Sequence, residues 1–189
     1  MLYIIPNGYC NCGLRLIKRT DDEMVGLNVF VTYCVLLVSV TESSYNPDVE
    51  SLQEVAEGKT STQSTQHSSY KPGNANDGNL NTFSHTTDEQ SPYWEVDLGR
   101  NYKIRQIEIF ARRDCCGDLI RKLDITAGPS HNLMTRCGFY SGPAKTRDHL
   151  VFECRPIING RYVRIQKNDS TNLALAEVQV MAIVDKTVG

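Results

Sequence analysis

Beyond residue 45 the chain alternates between apolar and polar positions. Trp94, Val96 and Leu98 fall on one face of an extended segment, while Glu95 and Asp97 fall on the other. Tyr102 and Ile104 keep one parity, and Ile107, Ile109 and Ala111 keep the opposite one. That slip near Arg105 and Gln106 predicts a β-bulge, or a strand covered on both faces. Leu123, Ile125 and Ala127 alternate, as do Val163 and Ile165, and then Val178, Val180, Ala182 and Val184. Turn-forming segments separate these runs at residues 71–79, 128–130 and 141–143. No long helical period competes with them. Many short strands with Gly and Pro punctuation predict an all-β fold, a sandwich or jelly roll, built as one domain over residues 45–189. Residues 41–70, polar and rich in Ser, Thr and Gln, read as a mature N-terminus leading into loops.

The first 44 residues read differently. Residues 27–40 form an uncharged, mostly apolar run, short of the roughly 17–25 residues that a membrane span needs. It suits the apolar core of a signal peptide, with the small residues Thr41 and Ser43 placed for cleavage. Met24 is then the expected start. A signal anchor used from Met1, with Arg15, Lys18 and Arg19 on the cytosolic side, is the alternative. A buried core strand is a third. The first two place the later residues outside the cytosol, and the domain is expected to be secreted and not inserted in a membrane.

A net charge of −2 leaves no basic field for nucleic acid or a polybasic membrane patch. Cys115, Cys116, Cys137 and Cys154 all lie after residue 45, an even set that fits disulfides in an oxidising compartment. They admit three pairings. No Cys-x-x-Cys spacing argues for zinc.

The chemistry concentrates in Arg112-Arg113-Asp114-Cys115-Cys116-Gly117, with His85 separated from Arg112 by 26 residues. Arg112 offers a fixed fork of donors for two oxygens on one edge of a sugar ring, and His85 can donate to or accept from a hydroxyl. Asp114 can hold the guanidinium bidentately rather than touch the ligand. A bonded Cys115–Cys116 pair would be a compact apolar platform. Taken separately, His85 could be a loop histidine bonded to backbone, and Arg112–Asp114 a surface ion pair of little energetic weight. Residues 74–79, Asn-Ala-Asn-Asp-Gly-Asn, pack oxygens into a turn. No pair of carboxylates can be singled out as a glycosidase requires, and no Ser or Cys has a recognisable base, so the chain is read as a binding protein and not an enzyme. Asn168-Asp-Ser170 is a glycosylation sequon.

From about Glu54 to Val184 the chain resembles the F-type lectins, or fucolectins, which include tachylectin-4-like proteins, within the discoidin-like sandwich group. Residues 58–64, 74–79, 93–99, 112–117, 160–163 and 175–180 carry the resemblance. The resemblance implies a β-sandwich jelly roll, a bound calcium ion and a shallow fucose pocket on loops. It places carbohydrate contacts on His85, Arg112, Asp114, Cys115 and Cys116, and calcium ligands on Asn74, Asp77, Asn79, Thr82 and Glu177, some through main chain. It also implies the pairings Cys115–Cys116 and Cys137–Cys154, the second contributing about 3 kcal/mol on the chain-entropy model. The family's pattern ends on Arg or Lys where this chain has Leu119, with Arg121 and Lys122 nearby. The expected function is a secreted, homo-oligomeric lectin that recognises fucosylated glycans in innate recognition or agglutination. The alternative is a discoidin-like adhesion module that has lost sugar binding and contacts a protein or phospholipid surface.

Overall fold

The computed structural model describes residues 51–184. The expectations for the leader and for Met24 as the start lie outside the described residues. The elements in chain order are β1 (Ser51–Glu54), β2 (Thr60–Gln63), β3 (Ser84–His85), β4 (Glu89–Gln90), β5 (Tyr93–Phe110), β6 (Leu123–Gly128), β7 (Thr135–Tyr140), β8 (His149–Lys167), β9 (Ser170–Thr171), β10 (Ala174–Leu175) and β11 (Glu177–Val184). Two short 3₁₀ turns, Pro72–Ala75 and Gly117–Leu119, complete them, and no α-helix occurs among the described residues.

Strands β5 and β8 organise the molecule. They pair antiparallel along their length, and each has a different neighbour on its other side in its two halves, β8 a paired strand in its second half alone. Residues 94–97 of β5 pair with β2, whereas its second half pairs with β11, which in turn pairs with β1. The second half of β8 pairs with β6, which pairs with β7. The hydrogen-bonded path therefore runs β1-β11-β5-β8-β6-β7 as one sheet. Yet Trp94 and Val96 share a single buried cluster with Ile107, Ile109, Ile125, Ile165, Val178 and Val180. Inward residues from both halves of β5 can meet only if the sheet closes over itself, which gives the sandwich. The corner lies where Asp97 faces Tyr162 but Tyr102 already faces Gly160, with Gly99 at φ +85° between them.

The predicted slip is present. Gln106 pairs with Met181 and Glu153, and Ile104 with Ala182 and Ile158, so Arg105 is left without a partner on either side. The apolar residues of the alternating runs lie in the core as expected, except that Tyr102 is partly buried against it and Val184, at the end of β11, is half-exposed. Residues 51–70 depart from the loop expectation, because β1 and β2 are strands. Both lie on the edge of the sheet with half-exposed side chains, and their Ser, Thr and Gln residues are held through backbone pairing.

Candidate functional site

His85 is carried on β3, a two-residue strand whose partner is β10, with Ala174 opposite His85. Bonds from Thr86 N to Leu173 O and from Leu173 N to Thr86 Oγ1 close the pairing, at 3.0 and 2.9 Å. Aromatic rings surround the imidazole: His67 at 5.0 Å, Tyr70 at 5.9 Å and Phe83 at 6.3 Å between ring centres, all nearly edge-on. Tyr70 stacks on Phe83 at 4.4 Å. Neither ring nitrogen of His85 makes a hydrogen bond, although both are buried. The Asn172 side chain approaches the ring without meeting hydrogen-bond geometry. Burial lowers the pKa of His85, and the nearby His67 and Arg112 charges lower it further, against weaker support from Asn172 and Asp88. The ring is neutral at neutral pH.

Arg112 follows the end of β5 and lies over the Phe83 ring, with its guanidinium carbon 3.7 Å from the ring centre. Asp114 grips it through both oxygens, with Nε donating at 3.0 Å and Nη2 at 2.7 Å. The arginine side chain is 12% exposed and the aspartate 61%. The hydrogen bonds from Arg112 hold the Asp114 carboxyl down to about 2. The bonds to Asp114 use Nε and Nη2 and leave Nη1 outside that pair. Cys115 and Cys116 are bonded to each other, with Cys116 in the left-handed region at φ 64°. Their loop is seated by Gly117, where backbone of Lys145 and Thr146 leaves no room for a side chain. Cys137–Cys154, also formed, ties β7 to the first half of β8.

The structure thus gathers His85 and Arg112 beside a common ring and places Asp114, Cys115 and Cys116 in the adjoining loop. Leu119 lies half-buried in the 3₁₀ turn that follows. Arg121 and Lys122 turn instead to Asp169, at 3.5 and 3.4 Å. The sequence reading missed Phe83, Tyr70, His67 and Asn172. Phe83 could have been found, because in extended chain it shares the face of His85 two positions on.

The oxygen-rich loop forms a second cluster. Thr82 Oγ1 lies 3.3 Å from Asn74 O, 2.9 Å from each oxygen of Asp77 and 2.7 Å from Asn79 O. One hydroxyl hydrogen can serve only one of these four acceptors. Glu177, at the start of β11, accepts from Gly78 N at 3.1 Å through Oε1, and its buried Oε2 has no partner. Burial pushes its carboxyl up to about 7, and Asp77, Glu54 and Glu57 add to the rise. Among the described residues no three His, Cys, Asp or Glu side chains converge on a metal site. A cation here would be held largely by carbonyl and hydroxyl oxygens, the donor set that calcium accepts. Of the five expected ligands, Asn74, Asp77, Asn79 and Thr82 converge through these oxygens, and Glu177 reaches the same loop through Gly78.

These features define a discoidin-like sandwich with a loop-borne candidate binding site. The family model described as the NedA-like, galactose-binding domain, of the F5/F8 type C group, matches residues 74–165. Fucolectin-6 of Anguilla japonica is 30% identical over 180 residues, covering 86% of this chain and 95% of its own. Among solved structures, the lectin domain of lectinolysin complexed with Lewis B antigen is 25% identical with a TM-score of 0.61, over 70% of this chain and 98% of that one. The f-lectin from Morone saxatilis serum is 26% identical with a TM-score of 0.64, over 71% of this chain and 48% of that one. The chain belongs to the fucolectin, or F-type lectin, family. Its relatives are lectins and carbohydrate-binding modules, not enzymes.

Proposed function

We propose that this chain is a secreted, calcium-containing lectin that recognises fucosylated glycans. One observation carries the reading: Arg112 is fixed by Asp114, backed by Phe83 and set beside a neutral His85 whose ring nitrogens are both unpartnered. Such a site can hold a sugar without chemistry. Arg112 Nη1 donates to ring hydroxyls, His85 donates or accepts, and the Cys115–Cys116 pair offers an apolar platform to sugar carbons. The curated fucolectins and the Lewis B complex of the lectinolysin domain support fucose as the sugar recognised.

Calcium would be bound by Asn74, Asp77, Asn79, Thr82 and Glu177. The surplus of acceptors around Thr82 Oγ1 and the orphaned Glu177 oxygen support it. Its role is structural: it would neutralise the loop that leads to His85 and tie it to β11. The two disulfides suit an extracellular setting. A shallow single site gains useful avidity only through several copies, so homo-oligomers acting in innate recognition or agglutination complete the reading.

A second reading, an adhesion module contacting a protein or phospholipid surface, is favoured by the apolar Leu119 and by Leu133 and Phe139, which are 66% and 50% exposed. Glycan-array binding of the protein, with calcium or chelator and alongside Arg112→Ala, separates the two. Calcium-dependent signal on fucosylated glycans that disappears in the variant is expected. No signal on any glycan from the folded, calcium-loaded protein would leave the adhesion reading standing.

A further inference from the structure

Among the described residues, four of the seven buried side-chain atoms without partners lie on or beside one histidine. Gln63 Oε1, both nitrogens of His85 and Asn172 Oδ1 are all orphaned. Gln63 Nε2 donates to His85 O and to Tyr70 O, and the Asn172 side chain approaches the His85 ring. Orphaned buried polar atoms are costly singly, and several in one place mark where a polar ligand binds.

Asn172 is the most constrained of them. Its Nδ2 donates to Asp88 Oδ1 at 2.8 Å. A carboxylate only accepts, so this bond fixes which end of the amide is which, and the carbonyl oxygen is the end turned to the His85 ring, short of hydrogen-bond geometry. The backbone is fixed as well, because Asn172 O accepts from Lys167 Nζ at 2.9 Å. Lys167 ends β8, is fully buried, and continues the inward parity of Val163 and Ile165. A long cation at a core position makes sense if its task is to hold this carbonyl. The next residue, Leu173, is locked to Thr86, the residue that follows His85.

We infer that Asn172 is a specificity-determining contact of the sugar site, its Oδ1 accepting a hydrogen bond from a ligand hydroxyl beside His85, with Lys167 as the positioning residue that holds it there. The inference rests on the lectin reading above. It assigns an uncharged acceptor to a site whose other arm, Arg112, can only donate. The site therefore demands one ligand hydroxyl acting as a donor, and blocking that hydroxyl cannot be compensated.

The test is calorimetric titration of the full chain with methyl α-L-fucoside and its mono-O-methylated derivatives, for the wild type, Asn172→Ala, Lys167→Met and Arg112→Ala. The wild type should bind the fucoside and lose about tenfold in affinity on O-methylation of one particular hydroxyl, the worth of one hydrogen bond in a buried setting. Asn172→Ala should bind about tenfold more weakly and no longer distinguish that derivative. Lys167→Met should blunt the same discrimination while the other derivatives keep their rank, which a general loss of stability would not do. If Asn172→Ala does not fold, Asn172→Gln, which keeps the amide and moves its oxygen, serves in its place. Wild-type binding that Arg112→Ala abolishes but Asn172→Ala leaves unchanged would overturn this inference and spare the lectin reading. A wild type that binds no fucoside would overturn both.

Discussion

Replacing Lys167 by Met should change how stability responds to alkaline pH. The ammonium group is fully buried, and burial pushes its pKa from the ordinary 10.5 down to about 8. Arg121 adds to the fall, while Asp169, Asp118 and Asp88 oppose it. At 1.36 kcal/mol per pH unit, that net difference corresponds to about 3 kcal/mol between the two protonation states. The direction follows from proton linkage. Between about pH 8 and 10.5 the unfolded chain holds the lysine proton and the folded chain has released it, so unfolding takes up a proton and the folded state gains stability as pH rises. Below about 8 the cost of burying the charge is fully present, and above 10.5 it is gone. All other groups are common to both proteins and cancel in the difference. The stability of wild type minus that of Lys167→Met, from urea unfolding at a series of pH values, isolates the group. The difference should rise by about 2–3 kcal/mol in favour of the wild type across the window. A flat difference would refute the reasoning, and a falling one would show that the folded state holds the lysine proton more tightly than the unfolded chain does.

Gly117→Ala would bring a Cβ to 2.1 Å from the Lys145 carbonyl carbon and 2.3 Å from Thr146 N, both backbone. It should cost about 1–3 kcal/mol and displace the cysteine loop, so a thermal melt matching the wild type would contradict this packing. Calcium should raise the melting temperature of the wild type, and Glu177→Gln should lose most of that rise when melts with calcium and with chelator are compared. Because His85 resists protonation, fucoside affinity should hold as pH falls to the ordinary histidine pKa of 6.5 and weaken only below it; loss already above 6.5 in titrations would mean that the ring is not neutral. Removing the Cys137–Cys154 bond by paired Ala substitutions should cost about 3 kcal/mol in urea unfolding.

How much of this was legible depended on whether a residue's role was written in its own periodicity. Trp94, Val96 and Leu98 announce an inward face, and all three are buried. The parity change at Arg105 is local too, and the bulge is there. β1 and β2 escaped because their strand character is borrowed: Ser51–Glu54 and Thr60–Gln63 become extended by pairing with β11 and β5, and half-exposed edges impose little apolar pattern. The continuity of β5 through Gly99 was hidden for the opposite reason, since a glycine between two alternating runs reads as a break although here it turns a corner within one strand. At the site, Arg112, Asp114 and the adjacent cysteines lie close in the chain and could be read together. The aromatic surround of His85 could not, because Tyr70 meets Phe83 only through the fold. Lys167 carried a signal that was overlooked: after Val163 and Ile165 it is the next inward position, and a cation there calls for a buried acceptor.

The site is assembled from loops, and what keeps those loops in place is long-range and largely polar. His85 depends on a two-residue pairing with β10, and Asn172 is held by a side chain from β8. The oxygen-rich loop depends on Glu177 from β11, a carboxylate with one unpartnered oxygen. The contacts themselves are few and polar, whereas the strands beneath share one apolar core, which takes in Ala75, Leu173 and Leu175 from the loops. Local opening should therefore cost least where the ligand binds. Ligand and calcium would each complete groups that the fold leaves unpaired, and each would then stabilise the folded state according to its own affinity. Hydrogen exchange should be fast at residues 74–87 and 169–174 in the free protein and slow there when calcium and fucoside are bound, while Trp94 and Ile165 stay protected throughout. Equal protection of loops and core in the free protein would mean that the orphaned atoms are satisfied without a ligand, and the case for a site built to receive one would fail.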